Sequence, residues 1–571
     1  MGLAGCGRLA PAQMPPQRVV LITIDTLRAD HVGCYGAARA HTPNLDAAAA
    51  GGVRFESVIS PTPLTLPSHA SLMTGLDPTS HGVRHNSIYV LSAEIPTLAE
   101  QMRAAGFETA AFVGAAVLSR RFGLSRGFAS YGDAFGGGRM SGAVGYAERP
   151  AGAVVDETLA WLRGAPDRFF VWVHLYDPHS DHKPPSGFAS AFASDPYAGE
   201  IAYVDSQIGR LLGRIRERWG SEHLLVAITS DHGESLGEHG EITHSYTIYE
   251  ATQRVPLILQ GPGLPDGTVV TQLARLIDVA PTLLALSAAP PLAAAEGRNL
   301  VPLIEGTERA ARSAYMETLA TQLDHGWSPL LGIRSGRYKF IRAPRPELYD
   351  LVRDPDEQRN RAGAEPDIAG RLDRMLSERT SSENGHMYGS PEAPRTVPEI
   401  ERRQLESLGY VVPGGLASGA AASLGVVGGP DPKDEIAILG VIASAHGAMS
   451  DGRPADALAL LEAQGRGGSA VAAMRAAAAL TVGDFARAQI DARAVLRVQP
   501  KRPDIEMVLG RALEGSGDVA GALAAYRRSA ALDPSAASAH RGIGRALLGL
   551  GDRKGARAAF ERADELSASD N

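Results

Sequence analysis

Three apolar, β-branched runs of this chain each end on a carboxylate. They are RVVLITID at 18–25, FFVWVHLYDPH at 169–179 and LLVAITSDH at 224–232. Runs this apolar, with no in–out alternation, are buried on both faces, the condition of a strand inside a parallel sheet. TAAFVG at 109–114 and VPLILQG at 255–261 have the same character. Between them lie segments that read as helices, at 42–50, 97–105, 153–163 and 200–218. Such alternation predicts an α/β domain with a mostly parallel sheet sandwiched by helices. Open sheets of this kind gather ligands beyond the C-terminal ends of their strands. Asp25, Asp177 with His179, and Asp231 with His232 are therefore expected to converge. Any one of these aspartates alone reads as a loop residue or a helix cap. Three at strand ends, two of them beside a histidine, read as a site.

The rest of the 571 residues divides by pattern. Residues 1–17 form an N-terminal tail. The catalytic region is expected to span 18–410, closing with a helix at 276–286 and a small antiparallel subdomain over 332–341 and 346–356. Residues 411–433 are rich in Gly, Ala and Pro and read as a linker. From 434 to 571 the chain repeats, with Gly-Asp pairs at Gly483, Gly517 and Gly551 and alanines at Ala488, Ala522 and Ala556, each 34 residues apart. This period resembles all-α tetratricopeptide repeats, here a short solenoid. Such a solenoid offers either a groove for a protein or peptide partner or a spacer.

A net charge of -8 gives no basis for nucleic-acid binding. Two cysteines, Cys6 and Cys34, provide neither a disulfide framework nor a cysteine metal cluster. No apolar run is long enough to span a membrane. LAGC at 3–6 matches a bacterial lipobox. With a leader upstream, Cys6 would place the protein in the envelope, periplasmic or lipid-anchored; otherwise a cytoplasmic location is expected.

IDTLRADHVGCYG at 24–36, TPNLD at 42–46, TLPSHASLMTG at 65–75 and HGVRHN at 81–86 are followed by DPH at 177–179, SDHGESLGEH at 230–239 and ELYDL at 347–351. In that order they resemble the sulfatase family of the alkaline phosphatase superfamily, over residues 18–410. The resemblance implies a metal-dependent ester hydrolase acting on a small anionic ester. The family converts a Cys or Ser, followed by x-Pro-Ser-Arg, to formylglycine. Thr65 and His69 stand at those positions here, and threonine cannot yield formylglycine. Other branches of the superfamily use an unmodified threonine, mainly on phosphate esters: nucleotide pyrophosphatases, phosphopentomutases and phospholipid-head-group transferases.

Thr65 precedes Pro67 at the predicted start of a helix that ends by Gly75. Free N–H groups and a partial positive charge at such a terminus suit an oxyanion. A hydroxyl there is either an ordinary N-cap or a nucleophile activated by a metal. Asp25, Asp231, His232 and Thr65 are the expected metal ligands. An imidazole among them favours Mn or Zn over Ca or Mg. Two arrangements stay open beside this ion. Asp177, His182 and His244 resemble the second metal site of the phosphopentomutase branch. The preferred one-metal arrangement has His179 steadying the substrate anion and His244 assisting the leaving oxygen. Asn86, together with His69, is expected to bind substrate, because Asn86 stands where the phosphonate monoester hydrolases carry a substrate-contacting Asn. The expected activity is hydrolysis of sulfate or phosphate esters through a covalent Thr65 ester, with phosphate mono- and diesters favoured. The alternatives are head-group transfer, or an inactive domain serving a repeat-mediated binding protein.

Overall fold

The computed structural model describes residues 15–135, 140–141, 146–147, 149–381, 425–464 and 468–569. Cys6 and most of the predicted linker lie outside these residues. A mixed sheet organises the main domain. Its strands are β1 (Arg18–Ile24), β2 (Val53–Ile59), β3 (Glu108–Val113), β4 (Ser130–Gly132), β7 (Phe169–Leu175), β8 (Leu224–Ser230), β9 (Arg254–Gln260) and β10 (Thr268–Val270). A short ribbon, β5 (Met140–Ser141) with β6 (Tyr146–Ala147), stands apart. The strand order is β10-β2-β9-β8-β1-β7-β3-β4, and β11 (Ala274–Arg275) also pairs with β2. Only β9 runs against its neighbours.

The sheet is buried on both faces. Val19 and Leu21 of β1 enter one core with Leu66, Ala70, Leu98, Met102, Leu283 and Leu372. Val20, Ile22 and Ile24 enter the other with Leu45, Val154, Ile201, Ile208 and Leu212. Helices Thr65–Thr74, Leu98–Ala104, Val279–Leu286 and Pro366–Thr380 thus cover one face, and Pro43–Ala50, Ala151–Leu162 and Pro196–Trp219 the other. The helix over 97–105 starts on a capping box, in which Thr97 and Glu100 satisfy each other's backbone N–H.

Register places the site. Ile24 pairs with both Leu175 and Ser230. Asp25, Tyr176 and Asp231 therefore leave three adjacent strands at one level, on the C-terminal edge. A second sheet, antiparallel, orders β12 (Ser313–Thr318), β13 (Leu330–Ser335), β14 (Tyr338–Arg342) and β15 (Glu347–Asp350). Of these, β12 was not predicted.

The C-terminal region is a stack of helix pairs, the last two being Pro503–Gly515 with Val519–Leu532 and Ala537–Gly549 with Arg553–Ser569. Their Gly-Asp pairs have a physical reason. Gly483, Gly517 and Gly551 have φ of 84°, 89° and 86°, the left-handed turn that ends one helix. Asp484, Asp518 and Asp552 then cap the next, accepting from Arg487, Gly521 and Gly555 N–H at 3.0, 2.9 and 2.9 Å. The described part of the linker is tied to the main domain. Lys433 Nζ lies 3.0 Å from Glu347 Oε1, and Ser328 N–H donates to Pro430 O at 2.8 Å. Among the described residues no helix is long and apolar enough to cross a membrane.

Tyr526, fully buried, fills the space left by Gly510 and Gly542. A Cβ at Gly510 would sit 2.5 Å from the Tyr526 ring. Gly510→Ala is expected to destabilise the repeat region by about 1–3 kcal/mol, read by urea unfolding.

Candidate active site

Thr65 opens the helix Thr65–Thr74, every residue of which is buried. Its Oγ1 lies 3.4 Å from His232 Nε2. That nitrogen is 3.4 Å from Asp231 Oδ2 and 3.8 Å from Asp25 Oδ1. One donor atom from each of Asp25, Asp231 and His232 falls within 4.8 Å of the others. All three side chains are 0% exposed.

Hydrogen bonding fixes which atoms face this point. Asp231 Oδ1 accepts the N–H groups of Thr26 (3.2 Å) and His232 (2.8 Å), leaving Oδ2 without a hydrogen-bond partner. Neither oxygen of Asp25 has one. His232 Nδ1–H donates to Gly233 O at 3.0 Å, so Nε2 carries the lone pair. Orphaned carboxylate oxygens and an imidazole lone pair converging in a buried space fit a divalent cation. Burial raises Asp25 to about 6. Burial, then the charge of Asp25, raises Asp231 to about 7, so a cation would relieve a real electrostatic cost.

A second set of donors, His69, His174 and Asp231, lies equally close together. Tautomers separate it from the first. Trp172 Nε1–H donates to Thr23 Oγ1 at 2.9 Å, and the Thr23 hydroxyl faces His69 Nε2 at 3.1 Å. His69 Nδ1–H donates to Thr65 O at 2.8 Å. Both ring nitrogens of His69 are thus engaged within the protein and neither is left for substrate. Gly114 N–H donates to His174 Nδ1 at 3.2 Å, which puts the proton of His174 on Nε2, 3.3 Å from Asp25 Oδ2. His174 therefore faces Asp25 with its N–H, and His69 gives its own to the backbone of Thr65. Burial pushes them down, to about 3 and about 4, keeping both neutral.

Next to Thr65, Asn86 Oδ1 accepts Leu66 N–H at 2.8 Å, while its Nδ2 is buried without a partner. His179 Nδ1–H donates to Ser180 O at 2.6 Å, leaving Nε2 equally unpartnered. The rings of His179 and His244 meet edge to face at 4.8 Å, and those of His244 and His232 lie 4.6 Å apart. Burial alone would push His244 down. The buried Glu234 carboxylate, with Oε1 3.0 Å from His244 Nδ1, overrides it and raises the imidazole to about 9. The proposed second metal set is not drawn together. His182 and His244 both turn to Glu234, at 3.8 and 3.0 Å, whereas Asp177 Oδ2 accepts Ala151 N–H at the start of a helix. Ser245, between His244 and Tyr246, has a φ of 97°, a strained backbone of the kind concentrated at reacting sites.

Sequence reasoning missed His174 and Glu234. The first carried a signal, a lone polar residue inside FFVWVHL, where every neighbour is apolar. The second lay inside a motif already quoted, but its partners come from separate loops.

Residues 17–289 match the family model described as sulfatase, and 237–381 match that of the N-sulphoglucosamine sulphohydrolase C-terminal region. Residues 473–537 and 507–571 each match a tetratricopeptide repeat. The chain is 26% identical over 429 residues to Delta 4,5-hexuronate-2-O-sulfatase of Bacteroides thetaiotaomicron, covering 63% of this chain and 88% of that protein. It is 27% identical over 409 residues to choline-sulfatase of Rhizobium meliloti, covering 56% and 78%. In fold it is similar to the phosphonate monoester hydrolase of Agrobacterium radiobacter, with a TM-score of 0.55 and 22% identity over 64% of this chain and 95% of that one.

His174→Phe removes the N–H that faces Asp25. Divalent-metal affinity is expected to fall by about 10–100-fold, read by metal content after dialysis against a graded chelator. Unchanged affinity would mean that His174 only fills space.

Proposed function

We propose, from the premise that the chain carries a sulfatase-family domain of the alkaline phosphatase superfamily followed by tetratricopeptide repeats, that it is a metal-dependent ester hydrolase with unmodified Thr65 as its nucleophile. The observation that carries the reading is the placement of Thr65 Oγ1, 3.4 Å from His232 Nε2 and at the N-terminus of a buried helix. Asp25, Asp231 and His232 would hold the ion, with Thr65 Oγ1 beside it. Bound there, a divalent ion would act as a Lewis acid, favouring the ionised hydroxyl and offsetting anionic charge on the ester. The imidazole ligand favours Mn or Zn.

The chain's own groups perform the rest. Ionised Thr65 Oγ1 forms the new bond to phosphorus as the bond to the alcohol oxygen breaks. His244, held by Glu234, protonates that departing oxygen. Asn86 Nδ2–H steadies a nonbridging oxygen; the expected anion contact of His179 would need its Nε2 protonated, against the lone pair that the Ser180 bond leaves there. Water then attacks the Thr65 ester, returning its proton to His244 and freeing Thr65.

Phosphate esters are the preferred substrates in this reading. A formylglycine hydrate has a second hydroxyl that expels sulfate by elimination. Threonine lacks that exit, so water must attack the central atom of its ester. A positively charged clamp suits the more highly charged phosphoryl group better than sulfate. Sulfate ester hydrolysis is the second reading, favoured by the sulfatase matches.

Thr65→Ala is expected to lower turnover by at least about 10³-fold, and Thr65→Ser to retain some. Chelator-stripped protein should lose activity and regain it with Mn or Zn. Parallel assays of aryl phosphate, phosphodiester, phosphonate and sulfate substrates test the preference. Sulfate turnover far above phosphate turnover in one preparation would reverse it.

A further inference from the structure

We propose that Tyr246, His325 and Trp327 wall a subsite for a ring-bearing alcohol part of the ester, and that the helical repeats hold this wall in place. The inference rests on the reading of the chain as an ester hydrolase.

Two residues of the reacting centre bracket the wall. His85 adjoins Asn86, and its Nε2 lies 3.1 Å from Asp324 Oδ1. The other oxygen of Asp324 accepts from the Tyr246 hydroxyl at 3.3 Å. Tyr246 follows His244 by two residues. The His325 ring lies 5.0 Å from that of Tyr246 and 4.4 Å from that of Trp327.

Mutual packing explains why these rings are buried. It does not explain His325, whose two ring nitrogens are both buried without a hydrogen-bond partner. A buried imidazole keeps one donor and one acceptor to satisfy, and native interiors rarely leave both unmet. A ring lying flat on this wall, with a hydroxyl at its edge, supplies a stacking surface and a partner for one of the two nitrogens.

The corner that presents His325 is fixed from the repeat side. Ser469, on the repeat helix Gly468–Val482, donates its hydroxyl to His325 O at 3.1 Å. Gly326 turns with a φ of 71°, and a Cβ there would sit 3.1 Å from the Gln499 amide nitrogen. The segment before the repeats adds Pro430 O, which accepts Ser328 N–H at 2.8 Å. The repeats thus border the corner that carries this wall.

The test is calorimetric, on the full chain, with 4-hydroxyphenylphosphonate and methylphosphonate. Neither contains an ester, so neither is consumed. The wild type is expected to favour the aryl ligand by about tenfold. His325→Ala, and separately Ser469→Ala, should erase most of that preference while leaving methylphosphonate affinity unchanged. Thermal melting confirms that each variant is folded. Equal affinities in the wild type, or an equal loss for both ligands in the variants, overturn the subsite. Thr65→Ala with full turnover would instead strike the nucleophile assignment and leave the binding difference intact.

Discussion

Two carboxylates forced together in a dry space are what the rest of the structure depends on. Parallel register delivers Asp25 and Asp231 from adjacent strands at one level, with no solvent and few hydrogen bonds. Left alone, two such charges repel, and burial drives their pKa values up toward neutrality. The surroundings answer with neutral imidazoles, not with lysine or arginine. His69, His174 and His232 surround the pair and stay uncharged because burial holds them so. A cluster of neutral donors around two anions leaves one position for a cation, and Thr65 stands beside it.

The roles of the histidines are set by the backbone. Gly233 O, Gly114 N–H and Thr65 O each fix one ring nitrogen, and the opposite nitrogen follows. Of three imidazoles within a few ångströms of each other, one thereby presents a lone pair to the candidate metal site and two carry their protons on nitrogens fixed by the protein. Glu234 works differently on His244. A full negative charge keeps that imidazole protonated although it is buried. The charged ring of His244 thus lies 4.6 Å from the neutral ring of His232 and 4.8 Å from that of His179, a single cation among neutral imidazoles.

Much of the fold was legible because its signals are local. A strand buried on both faces announces itself by composition, as in RVVLITI, and a Gly-Asp pair announces a helix end and a helix start together. Thr65, Asp231 and His232 were readable for the same reason, each at the end of a recognisable element. What escaped was non-local. β12, SAYMET, has too mixed a pattern to be read alone, and it is a strand because Leu330–Ser335 pairs with it. His69 was expected to contact substrate, standing where the family motif has its arginine. Its side chain turns inward, to a Trp172–Thr23 relay that no spacing rule connects to it. Asp177 stood at the right strand end for a ligand, yet the helix Ala151–Leu162 starts against it and takes its oxygen.

The same distinction bears on why a hydrolase domain would carry helical repeats. In sequence the two are separated by a stretch that reads as a spacer. In space its last residues are fastened, through Lys433 to Glu347 and Pro430 to Ser328, and the repeats reach the helix Ala320–His325 through Ser469. That helix carries Asp324, which binds His85, the neighbour of Asn86. A continuous set of contacts therefore joins the repeats to the N-terminus of the helix Thr65–Thr74. Along this path Asp324 stands between the repeats and Thr65, while Asp25 and Asp231 lie off it, at the ends of sheet strands. If the proposed subsite holds, coupling through such a contact would act on which ester is accepted, and the carboxylates Asp25 and Asp231, at the ends of sheet strands, would stay where they are.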